Sequence, residues 1–132
     1  AFELDASKYR YSLMSRLIAA KLKLGDYRSA AASCEGVSKD KNSPSYLLQS
    51  CVMYLDNVIV EVADDVSVEE QKRQRLRSTY SELAVEILGQ LQSRDYYENS
   101  RSVTYLLTSP SFATLRTTQE FKNWVSTLKQ KQ

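Results

Sequence analysis

The sequence predicts an all-α protein, and two observations carry this prediction. The 132 residues include only three glycines and two prolines, so the chain is poor in the residues that make the tight turns of β-rich folds. Apolar residues recur at spacings of three and four, which is the period of an amphipathic helix. The length suits one core, and we expect residues 1–132 to form a single helical domain cut from a longer protein.

A lone glycine between two helical patterns predicts a sharp turn near the start of the chain. The first predicted helix continues to about Leu24, and Gly25 should end it in the left-handed conformation, which only glycine adopts without steric strain. Asp26 can then cap the second predicted helix, which covers Tyr27 to Ser38. The two helices should therefore form a hairpin.

The residues that should pack this hairpin follow the helical period. Four apolar residues of the first helix are expected on its inner face: Leu13, Met14, Leu17 and Ile18. Three alanines at 30–32 of the second helix are small enough to let two helices approach closely. Cys34 and Cys51 fall at apolar-face positions, where we expect buried free thiols, with a disulfide as the alternative.

Two longer helices should follow. Pro44 suits the first turn of the third helix, with Ser43 as its cap, and the wide apolar face of this helix predicts that it is central and the most buried. Ser67 and Glu70 have the spacing of a capping box at the start of the fourth helix, which should end near Ser93.

The C-terminal part should contain two shorter helices joined by a proline-containing turn. One helix is predicted over residues 99–107, and Phe112 and Leu115 should anchor the segment that follows it. Thr117 or Thr118 should cap the last helix. The apolar stripe of that helix consists of Phe121, Trp124, Val125 and Leu128.

The residues around the first turn resemble a tetratricopeptide repeat (TPR). Gly25, Tyr27 and Ala30 match the central turn of one unit. A second stretch resembles the second helix of another unit, and it carries Tyr80, Ala84, Leu88 and Leu91. Ala30 and Ala84 are further apart than one repeat of about 34 residues, so we expect an insertion within residues 64–75. The resemblance implies antiparallel helix hairpins stacked as a right-handed α-α superhelix, with a C-terminal capping helix.

The C-terminal run is similar to the closing TPR segment of bacterial serine/threonine protein kinases. The matching stretches are Tyr80 to Leu88, Tyr96-Tyr97, residues 109–116 and Glu120-Phe121. This resemblance implies a protein–protein interaction scaffold at the C-terminus of a larger signalling protein. The kinase family's own catalytic motifs are absent from this chain, since it has no glycine-rich loop, no His-Arg-Asp and no Asp-Phe-Gly.

Three residues of the first helix depart from the TPR pattern. Ile18 stands where a TPR has a small residue, so close packing of the first two helices is not expected there. Ser15 and Ala19 occupy positions that are Lys and Asn in carboxylate-binding TPR domains. Recognition of a C-terminal carboxylate is therefore not implied.

The composition argues against catalysis and against several partner classes. Histidine is absent, the two cysteines lack metal-binding spacing, and we expect no catalytic residue, no cofactor and no bound metal. The net charge of +2 and the lack of a long apolar run predict that the chain binds no membrane, and we expect a cytoplasmic protein. A structural or homo-oligomerisation helical module is the alternative to a scaffold. Nucleic-acid binding through Lys72 to Arg77 is a weaker one.

The partner should bind on the inner surface formed by the first and third helices, as it does in repeat proteins of this type. The residues expected to face a peptide are Ser12, Ser15, Ala19 and Lys23 on the first helix, and Tyr46, Gln49, Met53 and Asn57 on the third. The alternative is that the fourth helix or the C-terminal segment covers this surface and makes it part of the core.

Overall fold

The computed structural model describes the backbone of residues 2–130 and the side chains of residues 9–128. In this part of the chain the protein is all-helical and has no strand, which confirms the predicted all-α class. Its six helices are α1 (Phe2–Lys23), α2 (Tyr27–Lys39), α3 (Ser45–Asp64), α4 (Glu70–Ser93), α5 (Ser100–Thr108) and α6 (Gln119–Gln130). Single 3-10 turns lie at Tyr96–Glu98, Pro110–Phe112 and Leu115–Thr117.

The turn between α1 and α2 has the predicted geometry. Gly25 has a φ of 79°, and its N–H donates to the carbonyl of Leu22 while the N–H of Asp26 donates to that of Lys21. This pair of bonds is a Schellman motif, which satisfies the last carbonyls of α1. The side chain of Asp26 then accepts from the N–H of Ser29 at 3.2 Å and so caps α2.

Helix α3 is the centre of the fold, as its wide apolar face predicted. It packs against α1, α2 and α4 and against the 3-10 turn at Pro110–Phe112. The predicted cap of this helix is wrong, because the hydroxyl of Ser43 donates to the carbonyl of Val37 at 2.8 Å instead. Pro44 precedes the first helical residue, and its fixed φ is already compatible with helix entry.

The capping box predicted for α4 does not form. The helix begins only at Glu70, and no side chain among the described residues caps it. The hydroxyl and the N–H of Ser67 both donate to the carboxylate of Asp65, so Ser67 belongs to a tight turn before the helix. The same carboxylate accepts from the hydroxyl of Tyr27 at 2.7 Å, which ties this turn to α2.

The C-terminal segment folds back over α3 and α4. Phe112 and Leu115 are fully buried, which confirms them as anchors, and α6 packs on α4. The hydroxyl of Thr118 accepts from the N–H of Phe121, as predicted for a cap. Trp124 is only 8% exposed and is in edge-to-face contact with Tyr97 at 5.6 Å between ring centroids.

Helix α1 is the most weakly buried of the long helices over the residues whose side chains are described. Ile18 is buried, but Leu13 is 39% and Leu17 is 53% exposed, so the predicted inner stripe is wrong for these two leucines. The reason is that α1 packs along one edge, against α2 and α3, and leaves its remaining surface open. This arrangement creates the grooves described next.

Candidate protein-binding grooves

Two grooves run along α1, one beside each helix that it packs against. The α1/α3 groove has a volume of about 430 Å³ and is lined by Ala19, Leu22, Lys23, Tyr54, Asn57, Val60 and Glu61. The α1/α2 groove has a volume of about 630 Å³ and is lined by Arg10, Met14, Leu17, Ile18, Lys21, Ser33, Gly36, Lys39 and Asp40. Helix α1 thus presents a different set of side chains to each groove.

The α1/α3 groove brings together three of the residues expected to face a peptide. Ala19 and Lys23 come from α1 and Asn57 comes from α3, and both polar side chains are exposed. Val60 adds an exposed apolar surface one turn after Asn57. An amide that can donate and accept, an ammonium group and an apolar wall are the groups that hold a peptide backbone and one of its side chains.

Glu61 also lines this groove, although it was not among the residues predicted to face a peptide. It is half-buried, and its Oε2 is a buried atom with no hydrogen-bond partner among the described residues. Burial raises the pKa of this carboxyl above its ordinary value. Its spacing of four from Asn57 puts both on one helix face, which was the signal available in the sequence.

Ser15 links two helices through its side chain. Its hydroxyl lies 2.8 Å from that of Tyr54, which joins α1 to α3 beside the α1/α3 groove. Ser12 is exposed on α1, away from the groove lining. Ser15 therefore holds the wall of the groove in position.

The other three residues predicted on α3 lie outside the groove lining. Gln49 is buried, and its Oε1 accepts from the hydroxyl of Tyr97 at 3.0 Å, so the C-terminal segment covers the surface at this point. Met53 is half-buried and packs against the core, and Tyr46 is exposed at the first turn of α3. The surface predicted to bind a peptide is therefore open at Asn57 and covered by the C-terminal segment at Gln49.

The other candidate residues from the sequence are the basic cluster on α4 and the two cysteines, and they do not lie together. In the basic cluster on α4, Lys72 and Arg75 are exposed while Arg73 and Arg77 are half-buried, so its charges do not share one face. Cys34 and Cys51 are buried free thiols, as expected, and the pKa of Cys34 is raised by its hydrogen bond with Cys51 and by burial. Within the described residues no group of three His, Cys, Asp or Glu side chains could hold a metal ion.

Comparison with known proteins returns no relative for this chain. No family model, no curated protein and no solved structure matches it. None of the described helices combines the length and the apolar character that crossing a membrane requires.

Proposed function

We propose that this chain is a non-catalytic interaction scaffold that binds a segment of a partner protein in the α1/α3 groove. The observation that carries the proposal is that Lys23, Asn57 and Val60, all exposed, line one open groove together with the half-buried Glu61. The exposed ammonium and amide groups can bond the carbonyl and N–H groups of a peptide backbone, and Val60 can contact one of its apolar side chains.

The proposal extends to the architecture and the cellular context. We take the helices as TPR-like hairpins stacked in a right-handed array with α6 as the capping helix. The chain would then be the cytoplasmic C-terminal appendage of a larger signalling protein, such as a bacterial serine/threonine kinase. The hairpin at Gly25 and the residue matches around it support this part of the proposal.

A pull-down with a matched pair of variants tests the groove. Lys23→Ala combined with Asn57→Ala removes two exposed groups from the groove, whereas Lys41→Ala combined with Asn42→Ala makes the same chemical change on the exposed loop before α3. We expect a partner captured from native lysate by the wild type and by the loop variant to be lost from the groove variant, with unchanged circular dichroism. Equal capture by both variants would contradict the proposal.

Two further measurements separate the alternatives. Sedimentation equilibrium detects a homo-oligomer, and an oligomer that the groove variant dissociates would assign the groove to self-association. Nucleic-acid binding that falls steeply with salt and is lost in Lys72→Gln with Arg75→Gln would assign the function to the basic cluster on α4.

A further inference from the structure

The α1/α2 groove has an apolar floor that is partly open to solvent. Met14, Leu17 and Ile18 have the spacing of one helix face on α1, and more than half of Leu17 is exposed. On the α2 side the floor is Gly36, where an added Cβ would meet nothing within 4 Å. The backbone of α2 is therefore accessible here, and another helix can approach it closely.

The rim of the same groove is basic. Arg10, Lys21 and Lys39 line it, and the acidic residue among the lining side chains is Asp40. The carboxylate of Asp40 accepts from the hydroxyl of Tyr11 at 3.2 Å and from the N–H of Asn42 at 2.9 Å, and these neutral donors leave its negative charge in place.

Over residues 9–23, whose side chains are described, α1 is basic, although only Arg10 and Lys21 of these basic residues line this groove. Residues 9–23 include four basic side chains and no acidic one: Arg10, Arg16, Lys21 and Lys23. On α2, the exposed Lys39 pairs with Glu35 at 3.0 Å, so Glu35 offsets one of the three basic charges and leaves Arg10 and Lys21 against Asp40. The groove therefore keeps an excess of positive charge that favours an anionic occupant.

Size and shape indicate what kind of anionic occupant fits. From Arg10 to Lys21 the groove follows α1 for about 16 Å at 1.5 Å per residue, which is about three helical turns. The surface is concave and bounded by two helices, and such a surface receives an amphipathic helix better than the flat face of a bilayer.

We propose that the α1/α2 groove is a second docking site, and that it binds an acidic amphipathic helix of a partner protein. Apolar side chains of that helix lie on Met14, Leu17 and Gly36. Its carboxylates face Arg10 and Lys39. The site is separate from the α1/α3 groove and does not depend on its function.

The test uses two synthetic helical peptides of about 15 residues, which is long enough to form helix on the groove. Both carry leucines at helical spacing, and the flanking positions are glutamate in one peptide and glutamine in the other. Fluorescence anisotropy of the labelled peptides measures binding to the whole chain. We expect saturable binding of the glutamate peptide and at least tenfold weaker binding of the glutamine peptide.

Filling the groove is the first variant experiment. Gly36→Leu places a side chain in the open space above α2, and Gly89→Leu makes the same change in α4, where an added Cβ also meets nothing within 4 Å. We expect Gly36→Leu to weaken binding of the glutamate peptide at least tenfold and Gly89→Leu to leave it unchanged. Equal affinity of the two variants overturns the proposal.

The second variant experiment removes charge from the groove and does not change its shape. Arg10→Gln with Lys39→Gln should weaken the glutamate peptide about tenfold, which is 1.4 kcal/mol, and leave the glutamine peptide unaffected. Lys72→Gln with Arg75→Gln lowers the net charge equally on α4 and should have no effect. Absence of saturable peptide binding overturns the proposal. It is overturned in favour of a membrane if phosphatidylserine vesicles bind instead and the Arg10 and Lys39 variant abolishes that binding.

Discussion

The carboxylate of Asp56 accepts a hydrogen bond of 2.7 Å from the backbone N–H of Leu115, although 59 residues separate them in sequence. Asp56 is buried in the middle of α3, and Leu115 lies in the segment between α5 and α6. This bond fixes the C-terminal segment on the central helix, and Phe112 and Leu115 of that segment are fully buried. A buried carboxylate is tolerated here because main-chain donors face it.

Removing this acceptor should loosen the C-terminal segment. Asp56→Ala leaves the N–H of Leu115 without its partner, and an unsatisfied buried donor costs about 1–3 kcal/mol. Asp56→Asn keeps an acceptor oxygen at the same place and should cost less than Asp56→Ala. Urea unfolding followed by circular dichroism measures both free energies of unfolding. Equal losses in the two variants would show that the bond does not contribute.

The same carboxyl should make stability depend on pH. Burial raises the pKa of Asp56 above its ordinary value, against the opposing effect of the N–H donors of Leu115 and Thr114. A carboxyl whose pKa is raised by folding binds its proton more tightly in the folded state. Its contribution is therefore fully present below the unfolded pKa of about 3.9 and is lost as the pH rises through the folded pKa.

The measurement is a comparison of wild type with Asp56→Asn across that pH range. The free energy of unfolding of the wild type should fall relative to the variant as the pH rises from about 4 towards neutrality, because the amide does not titrate. A constant difference between the two proteins would contradict the raised pKa.

The local sequence pattern was sufficient to predict most of the helices. The Gly25 turn, the central position of α3 and the anchors Phe112 and Leu115 all follow from helical period and cap chemistry over a few residues. The caps at Ser43 and Ser67 were mispredicted because a nearby acceptor outside the helix, the carbonyl of Val37 or the carboxylate of Asp65, takes each hydroxyl. The helical period of a sequence does not show which of several possible acceptors a serine hydroxyl will bond.

The candidate site shows the same limit at longer range. Helical spacing placed Lys23 and Asn57 in one groove, since residues on one helix face stay together in the fold. Gln49 shares that spacing with Asn57 but is covered, because Tyr97 arrives from a segment 48 residues away. Leu13 and Leu17 look like core residues in sequence, and only the packing of α1 along one edge exposes them.

Replacement by alanine should have opposite effects on stability at Gly25 and at Gly36. An added Cβ meets nothing within 4 Å at either position, so any difference comes from the backbone. Gly25→Ala should cost about 1–2 kcal/mol, because its φ of 79° is left-handed and strained for alanine. Gly36→Ala should stabilise by about 0.5–1 kcal/mol, because alanine favours the helix interior. Thermal unfolding checks this, and shifts of the same sign would contradict it.

The turn before α4 should be visible in the titration of one carboxyl. Hydrogen bonds from the hydroxyls of Ser67 and Tyr27 lower the pKa of Asp65 below its ordinary value. Ser67→Ala and Tyr27→Phe should each raise that pKa, and Ser67→Ala should raise it more. Carboxyl chemical shifts followed by NMR during an acid titration report it directly. An unchanged midpoint in both variants would mean that these bonds do not form in solution.

Loss of the Trp124 side chain should strongly destabilise the C-terminal end. It packs against Tyr97 and Phe121, with ring centroids 5.6 and 6.0 Å away, and truncating a buried Trp to Ala costs about 3–5 kcal/mol. Its Nε1 is buried and has no hydrogen-bond partner among the described residues. Trp124→Phe removes that unsatisfied donor and keeps an aromatic ring, so it should cost clearly less than Trp124→Ala.

Unfolding of these two variants is best followed by circular dichroism, because Trp124 is the single tryptophan of the chain and its fluorescence disappears in both. The wild type supplies the control, since a buried indole emits at shorter wavelength than free indole and should shift to longer wavelength on unfolding. If Trp124→Phe and Trp124→Ala lose the same stability, the ring contacts with Tyr97 and Phe121 are not what holds α6 in place. Native emission like that of free indole would show that α6 does not bury this side chain at all.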